Sequence, residues 1–193
     1  MSKFKRMNKL FAVLLVFTFV AGLLATAMPQ AAYAAEDEVK VDVKKLVSDI
    51  EDKDAKEAVL RLAAFNIING KQDGKYHPDD MVTREEFAKI LVTSLKMDTA
   101  VKAGLGFTNF KDVEATRWSA GYIGIAAGQG LIKGYPDGTF KPANQVSYAE
   151  AITMLVRALG YKDEFLSGQW PANYLAKAGE KEITKKVKFG DAY

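Results

Sequence analysis

Apolar residues recur at helical spacing in two stretches that share one design. Phe87, Ile90, Leu91, Ser94 and Leu95 lie at i, i+3, i+4, i+7 and i+8, and Ala151, Met154, Leu155, Ala158 and Leu159 repeat those intervals 64 positions later. This spacing places a single stripe on one face of a helix. Each stripe follows a capping box, Thr83 with Glu86 and Ser147 with Glu150, in which hydroxyl and carboxylate serve the helix's first orphan N–H groups. These four residues therefore read first as caps. A shorter helix precedes each stripe. One covers about 55–65, with Val59, Leu62 and Ala63 inward, and takes its start chemistry from Asp49, Asp52 and Asp54; the other covers about 119–129, with Tyr122, Ile123, Ala126 and Ala127 inward. Asn66 and Gly130, residues suited to a left-handed helix stop, follow at the same repeat position.

Between the helices of each pair runs a loop of fixed design. In the second copy it is Gly134-Tyr-Pro-Asp-Gly-Thr-Phe-Lys-Pro142; in the first, Gly70, Asp73-Gly74, Tyr76 and Pro78 hold the corresponding places. Asp-Gly is turn chemistry, because glycine accepts positive φ without a steric penalty. Phe140 is an apolar plug in an otherwise polar segment. A third unit opens near Phe165: Trp170-Pro-Ala-Asn-Tyr174 matches Trp118-Ser-Ala-Gly-Tyr122, and Leu175, Ala176 and Ala178 continue a helix. The match then decays, with Glu182 where Gly130 and Asn66 stand and Lys186 where the loop glycines stand. Helix–loop–helix units of this size bury their apolar faces only by stacking on neighbours. The fold class is therefore mainly α, with repeats at 47–97 and 110–161, a linker at 98–109 and an incomplete third unit at 165–193.

The remaining segment, 1–46, is different in character. Lys3, Lys5, Arg6 and Lys9 precede an uncharged apolar run from Leu10 to Leu24, and Ala32-Tyr33-Ala34 is a signal-peptidase site, so 1–34 reads as a secretory signal. Residues 35–46 read as a charged, flexible lead-in with a short extended piece around Val39, Val41 and Val43. Taking the signal's four basic residues from the total of 27 leaves 23 against 24 acidic ones, a net charge of −1 rather than +3. No basic excess remains for nucleic acid, and no membrane span remains after cleavage. The absence of cysteine excludes disulfides, thiolate metal sites and cysteine nucleophiles.

Phe110-x-Asp112-Val113, Trp118, the run Gly128-x-Gly130-Leu-Ile-x-Gly134-Tyr-Pro-Asp-Gly-Thr-Phe-x-Pro142 and the Thr83-Arg-Glu-Glu86 form together resemble the S-layer homology family. The resemblance implies a pseudo-threefold helical prism that binds secondary cell-wall polysaccharide on peptidoglycan, often through a pyruvate ketal. It implies non-covalent anchoring of S-layer proteins and exoenzymes at the surface of a Gram-positive bacterium, with grooves between neighbouring repeats. It also implies that the arginine of the Thr-Arg-Ala-Glu motif contacts the anionic sugar, and Arg84 matches that position.

The candidate polysaccharide-binding set is Arg84, Thr83, Asp112, Trp118, Gly134 and Trp170, with no catalytic residue, metal or cofactor assigned. Arg84 stands just inside a helix start, where free N–H groups and the helix dipole favour an anion and a guanidinium grips a carboxylate bidentately; the plain reading is a solvated arginine. Tyr148 replaces it in the second copy, which points to Gly70–Glu86 as the better binding copy. Trp118 and Trp170 read either as core or as sugar platforms, and Asp112 either as a helix cap or as a sugar ligand. Two other functions stay open. One is a small secreted hydrolase, for which Asp79, Asp80 and Glu85, read as ordinary solvated carboxylates of a polar loop and helix start, give no marked pair. The other is homotypic association within an S-layer through an apolar face that the half unit leaves uncovered around Leu175.

Overall fold

The computed structural model describes residues 41–104 and 106–185. Seven α-helices lie among them: α1 (Val43–Leu46), α2 (Lys53–Ala64), α3 (Arg84–Ser94), α4 (Asp98–Lys102), α5 (Ala120–Gly128), α6 (Tyr148–Ala158) and α7 (Ala172–Glu180). A 3-10 turn at Asp163–Phe165 joins α6 to α7. The described residues contain no strand, only an isolated antiparallel bridge between Thr83 and Gln145. None of their helices is long and apolar enough to cross a membrane. The signal-peptide reading of 1–34 lies outside the described residues. The extended lead-in is corrected over its described end: Asp42 accepts from the amides of Lys44 and Lys45 and so starts α1 as a helical turn.

Local chemistry accounts for most helix ends. Asp52 caps α2 through the Ala55 amide at 2.8 Å. Asp49 does not start that helix; its carboxylate accepts the His77 amide at 2.8 Å and so holds the first loop. Thr83 and Ser147 form complete capping boxes with Glu86 and Glu150. At the opposite ends, Asn66 (φ 55°) and Gly130 (φ 71°) adopt the left-handed stop, and the next residue's amide closes back onto the helix, Ile67 to the Leu62 carbonyl and Leu131 to that of Ala126, both at 2.9 Å.

The third unit keeps this stop, contrary to the sequence reading that the pattern fades after Ala178. Glu182 has φ 55°, the Ile183 amide bonds the Ala178 carbonyl at 3.0 Å, and Ile183 is 2 % exposed, as buried as Ile67. The burial of Ile183 holds a glutamate in a conformation it disfavours. Glu182→Gly should therefore raise the unfolding free energy by roughly 0.5–1 kcal/mol, seen as a higher denaturant midpoint at unchanged slope. An unchanged or lower midpoint would show that Glu182 carries no strain.

The repeats interlock with a stagger. α3, the second helix of the first repeat, packs on α5, the first helix of the second; α6 in turn packs on α7, and α3 and α6 meet at the centre. The buried core runs continuously through Leu62, Phe87, Leu91, Ile123, Phe140, Ile152, Leu155 and Tyr174. The predicted linker is partly helical, since α4 lies within it and packs on α5. Both Asp-Gly turns form as expected, with Gly74 and Gly138 at φ 76° and 82°. Gly134 is required by closeness rather than by φ: a Cβ there would lie 2.4 Å from the Phe110 ring and 2.6 Å from the Thr139 carbonyl oxygen.

Candidate functional site

The first turn of α3 is not an open anion site. Its Arg84 amide donates to the Asn144 carbonyl at 2.8 Å and its Glu85 amide to the Pro142 carbonyl at 3.0 Å, while Thr83 Oγ1 takes the Glu86 amide. The loop of the second repeat thus satisfies the helix start of the first. The Arg84 side chain follows the same direction. It is 2 % exposed, stacks with its guanidinium carbon 4.8 Å from the Tyr135 ring centre and 4.6 Å from that of Phe140, donates from Nε to the Phe140 carbonyl at 2.7 Å, and pairs with Glu150 at 2.8 Å. Gly70–Glu86, expected as the better binding copy because it keeps Arg84, thus sends that side chain into the second repeat instead. The reading of a solvated arginine is corrected.

Beside this buried pair opens a groove of about 490 Å³ between the second repeat and the third unit. Its walls are the loop at Lys133, Gly134 and Tyr135, the α6 face with Glu150, Thr153, Met154 and Arg157, and Asp163, Gly168, Trp170, Asn173 and Tyr174 of the third unit. Arg84, Gly134 and Trp170 thus meet in one groove. Trp170 is 48 % exposed and donates from Nε1 to Thr153 Oγ1 at 2.9 Å, which fixes its ring at the rim. Trp118 occupies the matching place at the boundary of the first and second repeats, 54 % exposed beside Tyr122. Both tryptophans thus lie outside the core. Thr83 is a cap. Asp112 is neither a cap nor an open ligand: its two oxygens accept the Phe140 and Lys141 amides at 2.8 and 2.7 Å and clamp the loop.

Charge in the groove is ordered. Glu150 accepts from Tyr135 Oη at 2.8 Å and from the Ser147 amide at 2.9 Å. Burial pushes its pKa up, but Arg84 and the cap outweigh burial and hold it below the usual carboxylate range. Burial and the bond to Glu150 push the Tyr135 hydroxyl up to about 12. Asp163 accepts from Lys133 Nζ at 2.6 Å, from Arg157 Nη2 at 2.9 Å and from Tyr174 Oη, and these donors hold it well below the usual range. Three cations therefore face two ionised carboxylates around an exposed indole. Nearby, Glu85 is buried rather than solvated, gripped bidentately by Arg117 at 2.7 and 2.8 Å and by Ser119.

Lys133, Tyr135, Arg157, Asp163 and Tyr174 escape a reading that looks for what the copies share. Most stand where the copies differ: Asn69, Lys71, Thr93 and Thr99 occupy the matching places of the first four. Shared positions such as Gly134, Glu150 and Trp170 frame the groove, and positions that differ supply Lys133, Tyr135, Arg157 and Asp163.

The S-layer homology domain family matches residues 48–88 and 109–152. The chain belongs to that family. It is 37 % identical over 172 residues, 89 % of its length, to the "Middle cell wall protein" of Brevibacillus brevis and equally to the "Surface layer protein" of Brevibacillus choshinensis. It is 34 % identical over 103 residues, 53 % of its length, to the "Cellulosome-anchoring protein" of Acetivibrio thermocellus. The chain spans only 16 %, 15 % and 23 % of the length of these relatives. The S-layer homology match ends within α6, so the groove's third wall, which carries Trp170 and Tyr174, lies beyond the matched residues.

Proposed function

We propose that this S-layer homology chain is a non-catalytic anchor that holds an acidic secondary cell-wall polysaccharide, such as one bearing pyruvate ketals, in the groove between its second repeat and third unit. The observation that carries this reading is the convergence of Arg84, Gly134 and Trp170, from three separate repeats, on a groove with an exposed indole and cationic walls. An indole offers a sugar ring a flat apolar face, and Lys133 and Arg157 offer its acid group charge-assisted hydrogen bonds. The relatives' names, a surface-layer protein and a cellulosome-anchoring protein, fit attachment at a wall. In this reading residues 1–34 direct export and the chain works at the surface of a Gram-positive cell. A glycosidase acid needs a carboxyl held neutral near pH 7; Glu150 and Asp163 are both shifted the other way.

The test is sedimentation with purified sacculi. The chain should co-sediment with intact sacculi and stay in solution once the secondary polymer is stripped. Trp170→Ala should weaken binding about tenfold or more, as loss of a central aromatic anchor does. Undiminished binding to stripped peptidoglycan would overturn the reading.

A further inference from the structure

Asp163 occupies a peculiar place in the groove. It belongs to the exposed 3-10 turn, yet three donors converge on it: Lys133 from the loop, Arg157 from α6 and Tyr174 from α7. The two carboxylates of the groove are held very differently. The Glu150 side chain is 19 % exposed and locked between Arg84 and its helix cap, whereas the Asp163 side chain is 50 % exposed. The turn that carries it is short, with Phe165 66 % exposed and Leu166 the buried residue that follows. A second observation is independent of this geometry. In the first repeat the places of Lys133, Arg157 and Asp163 hold Asn69, Thr93 and Thr99. Both cations and the anion are thus found together in one copy and are all neutral in the other.

We propose that Asp163 is a built-in stand-in for the ligand's acid group and so determines the specificity of this groove. Resting on the functional reading above, it assigns the carboxylate of an incoming acidic sugar to Lys133 and Arg157, which the sugar takes over as Asp163 swings out into solvent. Exchanging one carboxylate for another at the same two cations, an exposed Lys133 and a mostly buried Arg157, keeps the kind of charge-assisted bond on each and changes little free energy. A bare anion therefore gains almost nothing by entering, and a neutral sugar cannot displace Asp163. A ligand that couples a carboxylate to a ring able to stack on Trp170 gains the stacking in full. The device rejects partial matches by making each of them compete with the chain's own anion.

The test uses the full chain and two probes, a methyl hexoside carrying a 4,6-pyruvate ketal and the methyl ester of the same compound, with affinities measured by calorimetry. Asp163→Asn should bind the acid about fivefold or more tightly than the parent chain, because the occluded fraction is released. The ester should bind both equally, and Asp163→Glu should resemble the parent. Asp163→Ala should give the same ranking as Asp163→Asn, with near-ultraviolet circular dichroism confirming that the tryptophans keep their surroundings. Equal or weaker binding of the acid by both neutral variants would overturn the proposal and make Asp163 a positioning residue for the two cations. If neither parent nor variant binds the acid, and Trp170→Ala leaves sacculus binding intact, the functional reading itself fails and this inference with it.

Discussion

Arg84→Ala should destabilise the fold by about 3 kcal/mol, the scale at which removing one partner strands a largely buried charge. Three losses combine. Glu150 keeps Tyr135 and its capping bonds but loses its cation, the Phe140 carbonyl loses its donor at 2.7 Å, and the stack between Tyr135 and Phe140 opens into a void. Glu150 is 19 % exposed, so water relieves part of the penalty and the lower end of the range applies. Urea denaturation measures the loss. Arg84→Lys should recover only part of it, since an ammonium keeps the charge but cannot place two donors on two acceptors while lying flat between rings. A loss below about 0.5 kcal/mol, the scale of exposed pairs, would show that the arginine is not structural. Weakened wall binding by Arg84→Ala must accordingly be compared at equal folded fraction, since part of it reports stability.

Phe140→Ala should cost about 3–5 kcal/mol, the usual range for deleting a fully buried phenyl ring. Phe140 is 0 % exposed, stacks on Phe110 at 5.5 Å between ring centres and forms one face of the Arg84 sandwich. Its truncation leaves a cavity bounded on one side by a cation, which the neighbours cannot close by collapsing. Phe140→Leu keeps most of the volume and should cost about 1 kcal/mol. The same denaturation series checks both; near-equal effects would mean that the loop repacks freely around the gap. The loss should also be non-additive with Arg84→Ala, because the two side chains share a contact.

The helices were legible because their signals are local. Periods of apolar residues, hydroxyl–carboxylate capping pairs and Asp-Gly turns act within a few positions of where they are written, and Thr83–Glu86 and Ser147–Glu150 form as they read. What could not be read was which copy a residue touches. Arg84 and Tyr148 align, which places the arginine in the first loop on paper; the stagger of the repeats carries it to the second. Glu85 looked solvated because its partners, Arg117 and Ser119, lie 32 and 34 positions on. Trp118 and Trp170 could be read either as core or as sugar platforms; their places at helix starts, with Tyr122 and Tyr174 one turn further on, leave them exposed at the rim. Glu182 looked like a lost stop because its residue type argues against positive φ, while the burial of Ile183, invisible in the local pattern, overrides that preference.

The bonds from the start of α3 to the carbonyls of Pro142 and Asn144 bear on how such a chain assembles. A polypeptide that emerges from a membrane channel presents its N-terminal residues first. If residues 1–34 direct export as proposed above, the first repeat meets that moment with a helix start whose acceptors have not yet arrived. It can acquire secondary structure early but not its final hydrogen bonds, which wait for a segment nearly 60 residues behind. The order of emergence and the order of completion are therefore opposed at this point: the helix start of the first repeat is finished by the loop of the second. In a chain exported as proposed above, that helix start stays open until the second repeat has left the pore.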